Sequence, residues 1–453
     1  MRTRFLPVAF VIFSFFIYGY GKNLTIDENE LFSDTSSLVQ SSEIVNITPK
    51  KKKRRKVTYF NGIINSAFFG NVNRHWYDDP DSNNIKLTNF IVGNFMLDFR
   101  LPHSNKGFVN LEVPYSPSYN YSTWYNYSSL FQLREMFIDG NIGRKIYLRV
   151  GKQVLQWGRC RLWNPTDLIN VEKKLFIPKI GYREGAYGLR THIPFGTTLN
   201  LYGFLDTKSL SSFDSLATAL KFEFLIQNTE MSLSLWAKPN NNLVAGYDVS
   251  TRIAGFDIVG ELSVSEAANT YSVIALNDTL MKEKSGGLQT KACVDVGRKF
   301  NFLDFPDNLS MTLSFYFNSS GYDENMFTDT TRYQFKDSLY PLETFGFLPV
   351  GAGTKKEFLL GHNLYEQHNY SKYYGALFTQ IDRVFISGLS GIVNIVTNLQ
   401  QSSWIFSGGL SYASLHEFFA GILVSAYVGK ENTEYTFDNR ALAVQINVGM
   451  TFY

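Results

Sequence analysis

The sequence is poor in charge, in cysteine and in long apolar runs. Asp, Glu, Lys and Arg make up 18% of its 453 residues. An ordinary soluble domain carries roughly 25%, so part of this surface is expected to face something other than water. Two cysteines cannot staple a disulfide scaffold, and Cys160 and Cys293, 133 residues apart, are expected to stay free thiols. Beyond the N-terminus no run approaches the roughly 18 apolar residues of a membrane-spanning helix, and mean hydropathy is −0.13. Chemistry-bearing patterns are missing too. There is no Gly-x-Ser-x-Gly elbow and no phosphate-cradling glycine loop. His75, His103, His192, His362, His368 and His416 offer no metal-ligand spacing. The expectation is a protein that is not an enzyme and has no cofactor, no metal and no nucleic-acid partner, with a hydrolase assembled from distant strands as the least favoured alternative.

Aromatic residues are abundant instead. They reach 16%, with 39 Phe and 27 Tyr, which excludes intrinsic disorder. An aromatic-rich, charge-poor chain without spanning helices points to an all-β fold, a transmembrane antiparallel barrel.

The N-terminus fits export. Arg2 and Arg4 precede an apolar stretch from 5 to 18, followed by Gly19 and Gly21 at the small-residue positions of a cleavage site. Residues 1–21 therefore read as a secretory signal peptide, and 22–56 as a polar linker ending in the basic run 50–56. Without Arg2 and Arg4 the formal net charge falls from +3 to +1, and without the seven cations of 50–56 the remainder is −6. Residues 57–453 are the expected barrel.

Alternation dominates that region, which puts every second side chain on one face of a strand. Leu87, Ile91, Phe95, Leu97 and Phe99 share one parity, while Thr88, Asn94, Asp98 and Arg100 share the other. Leu309, Met311, Leu313, Phe315 and Phe317 alternate with Ser310, Thr312, Ser314, Tyr316 and Asn318. Long polar connections alternate with tight turns, the longest being about 319–371. Leu442, Val444, Ile446, Val448, Met450 and Phe452 form one apolar face at the C-terminus. This resembles the terminal strand by which Gram-negative outer-membrane barrels are recognised for insertion. Nineteen alternating segments are apparent, including ones starting near 243, 252 and 270. A barrel with both termini on one side needs an even number. The parity flip near Ser250 to Arg252 reads as a bulge within one strand, giving eighteen strands, with sixteen as the alternative.

The least generic stretch runs from 134 to 190. Arg149, Gln153 and Trp157 share one face of a strand, Gly158 permits a bend, and Asn164-Pro165-Thr166-Asp167 reads as a turn. The segment 157–167 is expected to fold into or over the lumen. Together with Arg134, Glu135, Gly151 and the turn Pro194-Phe195-Gly196, these residues resemble the porin-like barrels related to alginate-export channels, with Arg159 standing where an acidic residue is common. The resemblance implies a passive channel for small polar, possibly anionic, solutes in the bacterial outer membrane, with lipid and the barrel-insertion machinery as partners. A barrel that only displays its loops to a ligand is the alternative. Twelve basic residues against five acidic ones lie in 134–190. Rings of Arg and Lys favour anions in pores, so Arg134, Arg149, Gln153, Trp157, Arg159, Arg161, Asn164, Asp167, Arg183 and Arg190 are the candidate pore-lining residues. The same cations would equally serve as braces for the wall.

Overall fold

The computed structural model describes residues 58–74, 85–101, 105–115, 131–170, 185–207, 216–302, 305–336, 351–413 and 417–452. Signal peptide, basic run and Arg183 lie outside them. The strands are β1 (Thr58–Asn73), β2 (Ile85–Arg100), β3 (Lys106–Tyr115), β4 (Gln132–Ile142), β5 (Ile146–Gln153), β6 (Ala186–Phe195), β7 (Leu199–Asp206) and β8 (Ala217–Ile226). They continue with β9 (Thr229–Ala237), β10 (Val244–Ile253), β11 (Phe256–Ser265), β12 (Tyr271–Leu276), β13 (Thr279–Lys284), β14 (Gln289–Phe302) and β15 (Phe305–Asn318). The last are β16 (Tyr333–Phe335), β17 (Ala352–Gly353), β18 (Tyr373–Ile381), β19 (Leu389–Asn398), β20 (Ser403–Ala413), β21 (Phe418–Val428) and β22 (Arg440–Phe452), with one short helix, α1 (Lys355–Gly361). Eighteen of the strands form one sheet, each antiparallel to the next. Pairing of β1 with β22, from Gly62 opposite Phe452 to Asn73 opposite Arg440, closes it. Closure removes both free edges, so every strand spends its backbone hydrogen bonds on neighbours.

Side-chain alternation sets which face turns inward. On β8 and β9, Leu220, Leu233 and Leu235 are exposed while Ala219, Ser232 and Ser234 are buried. The same inversion recurs at Leu313 and Phe315 against Ser314 and Tyr316. Apolar outside and polar inside is the pattern of a barrel surrounded by lipid.

The eighteen-strand count holds, but two of its parts are corrected. Residues 244–253 and 256–265 are two strands, not one bulged strand. The turn Ala254-Gly255 has positive φ at both residues, 52° and 81°, the geometry of a two-residue hairpin. Such a turn pairs Ile253 with Phe256, and pairing an odd with an even position is what reverses the apolar parity. Conversely, the segment near 270 is no wall strand. It forms the hairpin β12–β13, which joins β16 and β17 in a separate four-stranded sheet.

Connections at one barrel end, such as 143–145, 196–198, 227–228 and 254–255, are at most seven residues long. The other end carries 154–185, 266–288 and 319–372. Three of that end's connections build a cap with its own apolar core: Val273 and Leu280 of the hairpin, Met326, Phe327, Phe358, Leu359, Tyr365 and Tyr370 of the long connection, and Phe437 beside them. Helix α1 starts at a capping box in which Thr354 Oγ1 accepts from Glu357 N and Glu357 accepts from Thr354 N.

The C-terminal strand seals the seam with an aromatic ring. Phe452 lies over Gly62, 2.0 Å from where a Cβ would sit. It packs against Phe60 and Phe95, with ring centroids at 5.9 and 6.3 Å. Glycine is required there because the ring occupies the space of any side chain.

Candidate functional site

Past Gln153 the chain leaves the wall and runs through the barrel interior. Val154 N donates to Glu135 at the point of departure. Leu155 and Trp157 then bury against Phe204, Ala217, Ala219, Trp236 and Val244 of β7 to β10, together with Leu168 and Ile169 from the far end of the segment. Lys221 Nζ donates to Trp157 O at 2.9 Å. Gly158 allows the fold-back, because a Cβ there would stand 2.4 Å from the Asn164 side chain. Gly246 of β10 likewise leaves room for Thr166 and Leu168.

Polar anchors follow in order around the wall. The Arg159 guanidinium meets three carboxylates: Nε with Asp248 of β10, Nη1 with Glu230 of β9, and Nη2 with Glu223 of β8 at 2.8 Å. Glu261 of β11 accepts from the backbone N–H groups of both Arg159 and Cys160 through one oxygen. Its other oxygen accepts from Thr166 N and Thr166 Oγ1, at 3.0 and 2.8 Å. One carboxylate thus ties together both limbs of the fold-back. Asp295 of β14 accepts from Arg161 N at 2.7 Å. Trp163 stacks on Tyr316 of β15 at 5.2 Å, with the ring planes 4° apart, and its Nε1 donates to His368 O in the cap. The segment therefore crosses from β5 to β15 and also touches the cap.

The sequence-derived residues separate into groups. Trp157, Arg159, Arg161, Asn164 and Asp167 lie on the internal segment. Arg149 is buried on β5, bidentate to Asp139 at 2.7 and 3.1 Å and 3.8 Å from the Phe137 ring centroid. Gln153 is fully buried, donating to Gly188 O. Arg190 pairs in register with Arg149 and lies over the Tyr202 ring, and Arg134 reaches Glu112 at 4.0 Å. Arg134, Arg149 and Arg159 are thus met by acids from other strands. Arg161 differs: its side chain is exposed, it lies over Phe378 at 4.9 Å, and it carries no ion pair among the described residues. The opposite arc buries several neutral groups, Asn394, Ser425, Asn447, Asn65 and Asn110, the last beside Glu112, which Arg134 reaches.

Sequence reasoning missed the wall carboxylates Glu223, Glu230, Asp248, Glu261 and Asp295. Their signal was an acid at an inward position on each of five strands that follow one another around the wall. It also missed Cys160, Trp163 and Thr166, which face the wall. In the cap, Glu434 is fully buried and accepts from Tyr374 Oη, Asn398 Nδ2 and His368 N at 2.8, 2.7 and 2.9 Å. Burial pushes its carboxyl up to about 7 and pushes the His368 imidazole down to about 4.

No family model and no curated protein matches the chain. Solved structures do. OccAB1 of Acinetobacter baumannii is similar at a TM-score of 0.52 and 11% identity, covering 87% of this chain and 96% of that one. OccAB3 of the same organism gives 0.50 and 11%, over 87% and 99%. Pseudomonas aeruginosa OccK11 (OpdR) gives 0.50 and 10%, over 87% and 96%. The chain shares their barrel fold. At such identities the likeness speaks for architecture alone, and the solute must be argued from the interior.

Proposed function

We propose that the protein is a passive channel of the Gram-negative outer membrane for small polar, anionic solutes. The observation that carries this reading is the segment 154–170, fixed inside a closed barrel whose outer face is apolar. A soluble protein has no use for a ring of exposed Leu, Val and Phe, whereas a bilayer does. The N-terminal signal peptide, the long loops at the outer surface and the C-terminal strand offered to insertion machinery fit the same location. The motif resemblance to alginate-export channels supports channel function and names no solute.

Among the candidate residues, the proposed roles divide. Arg149 and Arg159, each met by carboxylates, position the wall and the segment. Arg161, exposed and with no salt bridge among the described residues, is the cation that meets solute. Amides on the facing arc offer hydrogen bonds without charge, so a polar anion would pass between a guanidinium and neutral donors. Planar-bilayer recording of the refolded full chain tests the reading: steady voltage-independent conductance is expected, and a preparation of folded barrels that never conducts would overturn it. The cap's independent core favours a second reading, a barrel that displays the cap to a ligand. That reading predicts folded, non-conducting barrels with a binding activity lost when 319–372 is removed.

A further inference from the structure

We propose that Cys160 and Cys293 form a disulfide that fastens the internal segment to the barrel wall. They are the chain's only cysteines, and they come from different elements, Cys160 from the internal segment and Cys293 from β14. The fold nevertheless brings both sulfurs and an Asp295 carboxylate oxygen within 4.8 Å of one another. Each cysteine is 1% exposed, and both lie in one apolar cluster with Trp163, Tyr316, Tyr374 and Phe378. Asp295 is already engaged: Oδ2 accepts from Arg161 N and Oδ1 faces Cys293 Sγ at 3.6 Å. Closing the bond leaves that anchor to Arg161 in place.

The inference rests on the exported location proposed above, because such a compartment oxidises paired thiols. The chemistry needs an oxidant, a disulfide carrier protein or a small-molecule disulfide. One cysteine thiolate attacks the carrier, releasing one carrier thiol and forming a mixed disulfide. The second thiolate attacks that cysteine sulfur and releases the other carrier thiol. Two cysteine protons and two electrons leave the chain, and the carrier departs reduced. Burial dates the event to folding, before Trp163 and Tyr316 cover the pair, and afterwards shields the bond from reductants. The linkage sits between the Glu261 clamp and the Trp163 stack, so it holds the segment at the point where Arg161 faces the lumen.

Thiol counting on the full chain tests this. Protein taken from the outer-membrane fraction is denatured with a chelator and a thiol-reactive maleimide, without reductant. No modified cysteine is expected, and two after prior reduction. Two modified thiols without reductant would overturn the proposal, and a metal ion held by the pair would give that same contrary result. The full chain refolded in detergent with oxidised and reduced glutathione should close the internal bond, whereas mixed glutathione disulfides on both cysteines would also overturn it. These readouts do not depend on conduction, so failure of the channel reading leaves them intact. The Cys160→Ser/Cys293→Ser variant should fold, with amide exchange across 154–170 at least tenfold faster than in wild type. Unchanged exchange would refute the fastening role.

Discussion

Glu261 shows how much one inward residue can hold. Its two oxygens accept four hydrogen bonds from Arg159, Cys160 and Thr166, so the two limbs of the internal segment share one anchor. A glutamine presents an N–H pair to donors that previously met an oxygen. Glu261→Gln should therefore loosen the segment by about 2–4 kcal/mol, the scale for losing charge-assisted bonds at a buried site. Hydrogen exchange of 154–170 would report it, and unchanged protection would assign the clamp elsewhere. Arg149 makes a second residue-scale case. Arg149→Gln strands Asp139 as a buried charge and should cost about 3–5 kcal/mol, read as a lower thermal unfolding midpoint in detergent. It should shift ion preference less than Arg161→Glu does, because it removes one positive charge at a buried wall site instead of reversing an exposed one. These pairings were not legible in the sequence. Alternation can assign Asp248, Glu261 and Asp295 to a face of their strands, but it cannot say which segment, a hundred or so residues earlier, lies beneath them.

At the scale of elements, the internal segment was readable and the cap was not. Gly158 and Asn164-Pro165 interrupt the strand period, and an interruption after Gln153 implies departure from the wall. The cap's hairpin alternates like any wall strand, so its period carries no sign that it stands outside the barrel. The turn at Ala254-Gly255 likewise lacks the Asn-Gly or Asp-Gly signature that would have marked it. Titration should expose how the cap is held. Glu434, raised from 4.5 to about 7 by burial, contributes stability that is full below 4.5 and is lost as pH rises through 7. His368, lowered from 6.5 to about 4, contributes stability that is full above 6.5 and is lost as pH falls through 4. Each swing amounts to about 3 kcal/mol at ~1.4 kcal/mol per pH unit. They oppose one another between pH 4.5 and 6.5, so wild-type cap stability should be nearly level there. Glu434→Gln should leave only the His368 slope, a cap that loosens on acidification. His368→Gln should leave the reverse slope. Amide exchange of 266–288 and 429–439 across this range checks both, and identical pH profiles in all three proteins would contradict the assignment.

Over the whole molecule, closure depends on the seam between β1 and β22. Gly62→Leu should displace the Phe452 ring and destabilise the barrel by about 2 kcal/mol or more, the usual order for overpacking. Adding Phe452→Ala should recover part of that loss, which a double-mutant cycle in urea would quantify. The barrel itself was legible because lipid outside and polar groups inside impose a period of two on every wall strand. Selectivity was less so, because a count of cations along 134–190 ignores the acids that fold against them. The central claim is that a segment fixed inside the barrel sets which solutes pass, through Arg161. Reversal potentials in a salt gradient test it most directly, comparing wild type with Arg161→Glu in the same bilayers. The account predicts anion preference in wild type and a shift toward cations in the variant. Identical reversal potentials in two conducting channels would contradict it.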